Sequence, residues 1–277
     1  MPMVGPCCAG NEALIVARVY KGYPMLNFVR NGPETGLPLI VAHGLFGSVR
    51  NWGVLSKRLA ETRPVITVDM RNHGESPWLE AHSYKDLAED LAEVIDYVGG
   101  RADVLGHSMG GKAAMVLALH RPELVARLVV ADIAPVGYTH TQSHLIAAMN
   151  SVDLSKVKTR RDADAQLAQA IPEAGVRAFL LQSLDLTGSR PRWRLNLEIL
   201  ARDMAEILDF PPLSARFDDP TLFLTGANSD YVTPQHHDEI ARLFPAAKFQ
   251  QIADAGHWLH AENPRDFEAA VQAFLKD

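Results

Sequence analysis

The sequence predicts an α/β protein: a mostly parallel central sheet with helices on both faces, and a helical segment inserted before the penultimate strands. Three observations carry this. Short apolar runs alternate with stretches of helical period, the rhythm of strands buried on both faces by their crossover helices. Polar, glycine-rich segments follow these runs at His43-Gly44, Asp69, Gly106 to Gly110 and Asp132, all at predicted carboxyl ends, where parallel sheets bind ligands. From Pro135 to about Phe217 no apolar strand appears, and the rhythm resumes at Thr221.

The elements follow in order. Residues 1 to 11 read as a loose leader. Ala13 to Tyr20 and Met25 to Arg30 alternate around Lys21-Gly22-Tyr23-Pro24 and predict an opening hairpin. Pro38-Leu39-Ile40-Val41-Ala42 reads as a doubly buried strand, with a helix from about Asn51 to Glu61 after it. Val65 to Asp69 is the next strand. Ser83 reads as an N-cap, with Asp86 in the first turn. Leu87, Leu91, Val94, Ile95 and Val98 recur at helical spacing until Gly99-Gly100 ends the helix. The strand at Ala102 to Leu105, a helix running to Pro122 and the strand Arg127 to Ile133 complete the first part. The insertion suggests helices at Thr141–Met149, Asp162–Ala170, Glu173–Leu184 and Trp193–Leu208. The strand Thr221 to Thr225, a helix Gln235 to Phe244, a strand Lys248 to Ile252 and a helix Pro264 to Leu275 close the chain. The division expected is a core of residues 1–134 and 218–277, with 135–217 as a cap over the site.

Composition excludes several classes. The 277 residues are 47% hydrophobic and 22% charged, as in globular domains with a real core. A net charge of −6 argues against a nucleic-acid partner. No run approaches the ~20 apolar residues of a membrane span, and no signal peptide is visible at the start. The two cysteines, Cys7 and Cys8, are adjacent, cannot staple a fold and suit a reducing cytoplasm.

The chemistry centres on Gly106-His107-Ser108-Met109-Gly110, a Gly-x-Ser-x-Gly pattern between a strand and a helix. Such a turn pushes the Ser108 hydroxyl out above the sheet. The helix that follows aims its free N–H groups at the same place, where developing negative charge is stabilised. Gly106 to Lys112 also begins like a phosphate-binding loop, but Ala113 stands where the Mg²⁺-binding hydroxyl belongs. His140 with His144, and His236-His237-Asp238, have metal-like spacing without a credible third ligand, and read as surface residues.

Four motifs, His43-Gly44-Leu45-Phe46-Gly47-Ser48, Asp69-Met70-Arg71-Asn72-His73-Gly74, Gly106 to Gly111 and Gly256-His257-Trp258, resemble the α/β-hydrolase superfamily. With Asp132-Ile133-Ala134-Pro135 they resemble more narrowly the YbfF-type serine esterases and their mitochondrial relatives. The resemblance implies cofactor-free hydrolysis of short- to medium-chain acyl esters, with a small-molecule ester as partner. Acyl thioesters, or perhydrolase or haloperoxidase chemistry on the same triad, are alternatives, as is a non-catalytic binding protein. Ser108 is the expected nucleophile and His257 its base. The acid is Asp132 or Asp230: the wider superfamily favours the second, the YbfF-type pattern the first, and Asp132 is the preferred reading. The oxyanion hole is expected from the backbone of Met109 with that of Leu45, or else Phe46. Asp69 and Arg71 read as loop braces. His43, His73, His107 and His260 read as packing or hydrogen-bonding residues around the site. Phe179, Leu180, Leu184, Trp193, Leu197, Leu200 and Met204 read mostly as the cap's own core, with an acyl pocket as the rival role. Oligomeric state is not legible.

Overall fold

The computed structural model describes residues 19–20 and 23–276. Cys7, Cys8, the leader and most of the first hairpin arm lie outside these residues. The strands are β1 (Val19–Tyr20), β2 (Tyr23–Pro24), β3 (Phe28–Asn31), β4 (Leu39–Ala42), β5 (Val65–Val68), β6 (Ala102–His107), β7 (Val125–Ala131), β8 (Leu184–Asp185), β9 (Arg192–Trp193), β10 (Thr221–Gly226) and β11 (Ala247–Ile252). Seven form one sheet in the order β11-β10-β7-β6-β4-β5-β3. Its pairs are parallel except β3, which runs antiparallel to β5 at the edge.

The strands are apolar throughout because both faces are covered. Leu39 and Val41 of β4 face the helices Gly53–Leu59 and Pro264–Lys276. Ile40 and Ala42 face the helices Tyr84–Val98 and Met109–His120 on the other side. The period of two thus feeds two separate cores from each strand. Ser83 caps Tyr84–Val98 with Asp86 in a reciprocal capping box.

The opening hairpin differs from the expectation. β1 pairs β2 within residues 19–24, while the expected second arm joins the main sheet as β3. Met25, Leu26 and Phe28 are buried there, so their apolar side chains pack on the common core rather than on a lone ribbon, which is marginal in water.

Between β7 and β10 no residue enters the main sheet. The helices there are Ser143–Ser151, Arg160–Leu167, Ala174–Leu180, Leu197–Arg202 and Met204–Leu208. Two expected helices are broken. The one predicted for Glu173–Leu184 ends at Leu180 and passes through a 3₁₀ turn into β8, which pairs with β9. Asp185 anchors that ribbon, accepting from the Thr187 amide and hydroxyl and pairing with Arg192 and Arg194. The helix predicted from Trp193 starts only at Leu197 and is interrupted at Asp203. Trp193 instead extends in β9 and donates its indole N–H to Met149 O at 3.1 Å.

Candidate active site

Ser108 joins β6 to the helix Met109–His120 with φ 52° and ψ −119°. This left-handed backbone is costly for a side-chain-bearing residue and is sustained by its surroundings. A Cβ on Gly106 would stand 2.2 Å from Gly110 O, and one on Gly110 2.5 Å from Ala42 O and His43 O. The two glycines are therefore what lets the strand, the turn and the helix close this tightly.

His257 lies after β11. Its Nδ1–H donates to Asp132 Oδ2 at 2.8 Å, and its Nε2 accepts the Ser108 hydroxyl at 3.0 Å. Asp132, directly after β7, is fully buried with φ 52°. Its Oδ1 accepts the Gly226 N–H at 3.0 Å, and the Ser229 hydroxyl donates to its Oδ2. Asp230, the other candidate acid, is exposed and does not bond His257. Its neighbours on both sides turn inward instead: Ser229 to Asp132, and Tyr231 to stack on the His257 ring at 3.7 Å between centroids. Sequence reasoning missed Ser229 and Tyr231. It singled out their loop as the usual superfamily place for the acid but looked there only for a carboxylate.

The expected backbone donors divide. Phe46 N–H already donates to His73 Nε2 at 3.2 Å. Among the described residues, the N–H groups of Leu45 and Met109 have no such partner. The amide of Phe46, the runner-up donor, is thus engaged with His73.

Five histidines around the site are buried: His43, His73, His82, His107 and His260. Burial pushes His43 down to about 4, and His73, His82 and His260 to about 3. They are neutral at pH 7, and their neighbours fix the tautomer where both nitrogens are bonded. His43 donates Nδ1–H to Gly44 O and accepts Met70 N–H at Nε2. His107 donates Nε2–H to His257 O at 2.8 Å, holding the loop that carries His257. His43, His107 and His260 border the cleft, whereas His73 lies behind it.

Asp69 and Arg71 brace loops, as read from the sequence. Asp69 accepts the amides of Val49 and Glu75 and the Asn27 side chain. Arg71 makes a bidentate pair with Asp90 at 2.6 and 2.7 Å. Lys112 is buried, and its Nζ donates to the carbonyls of Leu208 and Asp209 at 2.8 and 2.7 Å. Burial brings it down to about 7.

Ser108 and His257 open into a cleft. Tyr138, Leu145, Phe179, Ile207 and Leu208 line it from the inserted segment. Of the seven apolar residues read from that segment, only Phe179 reaches the cleft. The other six are buried within the segment's packing. Among the described residues no three His, Cys, Asp or Glu side chains gather as metal ligands, and no helix is long and apolar enough to cross a membrane. His140 is instead hydrogen-bonded to Tyr231 Oη at 2.8 Å.

Comparison with known proteins adds four findings. The family described as "Alpha/beta hydrolase family" matches residues 39–270. The chain is 47% identical to the mouse (Mus musculus) "sn-1-specific diacylglycerol lipase ABHD11", over 91% of this chain and 85% of that one. It is 41% identical to "Esterase YbfF" of Escherichia coli K12, over 87% and 93%. A solved "Marine microorganism esterase" superposes with TM-score 0.86 at 37% identity, covering 90% of this chain and 99% of the other.

Proposed function

The chain belongs to the alpha/beta hydrolase family and is an ester-hydrolysing enzyme, and we propose that it works as a serine carboxylesterase on short- to medium-chain acyl esters. The observation that carries the reading is the unbroken hydrogen-bond chain Ser108–His257–Asp132, at 3.0 and 2.8 Å, opening into the cleft. Ser108 Oγ attacks the acyl carbon while its proton passes to His257 Nε2. Asp132 holds the Nδ1–H tautomer and stabilises the imidazolium that forms, without taking the proton. The backbone N–H groups of Leu45 and Met109 receive the oxyanion, each worth about 3 kcal/mol in the transition state. The tetrahedral intermediate collapses, the C–O bond to the alcohol breaks, and His257 returns the proton to the leaving oxygen. A water then repeats the sequence on the acyl-enzyme and releases the acid. The scheme draws on no cofactor.

Residues 135–217 serve as a cap, and the apolar side chains they lend the cleft receive the acyl chain. A second reading is cleavage of one acyl ester of a diacylglycerol, favoured by the printed name of the mouse relative. We assign the reaction to the cytoplasm on the adjacent cysteines alone, which fractionation of cells would check. The deciding experiment is a p-nitrophenyl ester series from acetyl to palmitoyl, with a dioctanoylglycerol arm and Ser108→Ala as the blank. A maximum at short or medium chains that vanishes in the blank supports the esterase. Turnover confined to the glycerolipid moves the assignment to the second reading. Blank-level rates throughout overturn both.

A further inference from the structure

Three hydrogen bonds tie the loop after β4 to the loop after β5. Val49 N–H reaches Asp69 Oδ1 at 2.8 Å, Met70 N–H reaches His43 Nε2 at 2.9 Å, and Phe46 N–H reaches His73 Nε2 at 3.2 Å. The third acts on a peptide with two possible settings. Gly47 N–H donates to Gly44 O at 3.0 Å and closes a four-residue turn with Leu45 and Phe46 at its centre. Phe46 stands at φ 64°, in the third position of a turn form that favours glycine or asparagine there. The commoner form of the turn rotates the central Leu45–Phe46 peptide by about half a turn and returns the third residue to negative φ. A phenylalanine would relax to that form unless something held its amide.

His73 is built to hold it. Its Nδ1–H donates to Arg71 O at 2.8 Å, which leaves the Nε2 lone pair as the acceptor. The ring is fully buried, and burial keeps it neutral, so the acceptor persists across the working pH range. The turn it holds also abuts the nucleophile: a Cβ on Gly44 would lie 3.1 Å from Ser108 Cβ.

We propose that His73 is a positioning residue for ester hydrolysis, its Nε2 holding the Phe46 amide and with it the shape of the 44–47 turn, whose Leu45 N–H, on the preceding peptide, is presented to the oxyanion. The inference rests on the serine-esterase reading above. It differs from a packing role, in which the ring merely fills space behind the cleft.

Two variants separate these. His73→Gln keeps an acceptor near the place of Nε2, and His73→Leu keeps the volume without one. Wild type and both variants are assayed for p-nitrophenyl butyrate turnover, Ser108 labelling by a fluorophosphonate, and inhibition by an alkyl trifluoromethyl ketone. That ketone adds Ser108 Oγ to its carbonyl carbon, passes the serine proton to His257 and leaves an oxyanion in the hole. His73→Leu is expected to lose roughly 100-fold in kcat and in ketone affinity with KM within about threefold, while His73→Gln recovers most of both. Equal losses in the two folded variants, or a loss in KM alone, overturn the inference. So does wild-type behaviour of His73→Leu. Should neither variant fold, ¹⁵N-histidine NMR of the wild-type protein decides: a neutral Nδ1–H ring with a hydrogen-bonded Nε2 is required, and an Nε2–H ring or an imidazolium refutes it. Inactive wild type that fails to label would defeat the esterase reading itself, and the variants' contrast would not be mistaken for that failure.

Discussion

Gly226→Ala tests whether the acid and the histidine are held by backbone contact. Gly226 ends β10, donates to Asp132 and lies under the loop that carries His257. A Cβ there would stand 2.3 Å from Gly256 O and 2.5 Å from Ala255 O, where real Cβ atoms keep at least 3.0 Å. Something must therefore move by about 0.7 Å, the difference between the two. β10 is paired on both sides, with β7 and with β11, so the 255–257 loop is the part that yields. The Ser108–His257 bond starts at 3.0 Å and sits at the end of that loop. Misplacing a reacting group by about 1 Å costs on the order of 100-fold. Gly226→Ala is accordingly expected to lose roughly 10- to 100-fold in kcat for p-nitrophenyl butyrate while its circular dichroism stays native. Gly175→Ala is the matched control. It is an exposed helical glycine whose added Cβ meets nothing within 4 Å, and it should keep full activity and gain about 0.5–1 kcal/mol of stability. A folded Gly226→Ala enzyme with wild-type kcat would refute the reasoning.

Three further outcomes are expected. Asp132→Asn should lower kcat by roughly 10⁴ by disturbing the His257 tautomer, whereas Asp230→Asn, altering an exposed side chain, should stay within about twofold in the same assay. Ser229→Ala removes one donor to a buried carboxylate and should cost about tenfold in kcat, far less than Asp132→Asn. Lys112, held near 7 against 10.5 when unfolded, releases its proton in the native state first. Its contribution is therefore full above about 10.5 and lost as pH falls to about 7. The Tm of wild type relative to Lys112→Met should accordingly rise between those pH values, and a flat difference would count against the burial of its charge.

The parts of this molecule that were legible in its sequence are those governed by local rules. β4, β5, β6 and β10 declare themselves because a doubly buried strand must be apolar at every position, and Ser83 with Asp86 marks a helix start by its own hydrogen bonds. Gly106-x-Ser108-x-Gly110 is legible because only glycine fits where backbone meets backbone. What was not legible has a different cause. Trp193 opens a predicted helix, yet it extends in β9, and Met149, far away in the chain, accepts its indole N–H. Asp132 and Asp230 follow neighbouring strands with similar surroundings in sequence. What separates them is which carboxylate reaches His257, and that depends on contacts across 125 residues. Ser229 and Tyr231 carry no motif at all; only their closeness to Asp132 and His257 distinguishes them.

The clamp on Asp132 has a consequence for how the enzyme can diversify. Asp132 stands just before the inserted segment, and the two groups that grip it besides His257, Gly226 N–H and the Ser229 hydroxyl, come just after that segment returns to the sheet. One carboxylate thus fastens both ends of a long excursion of chain, like a clasp. Since the entropic cost of closing a loop grows only slowly with its length, the excursion is free to lengthen, shorten or be exchanged as a cassette while the clasp stays shut. With the segment read as the proposed cap, selectivity and chemistry would sit on separately replaceable parts, and transplanting the insertion of a relative between Pro135 and Phe217 becomes a rational route to a new substrate range.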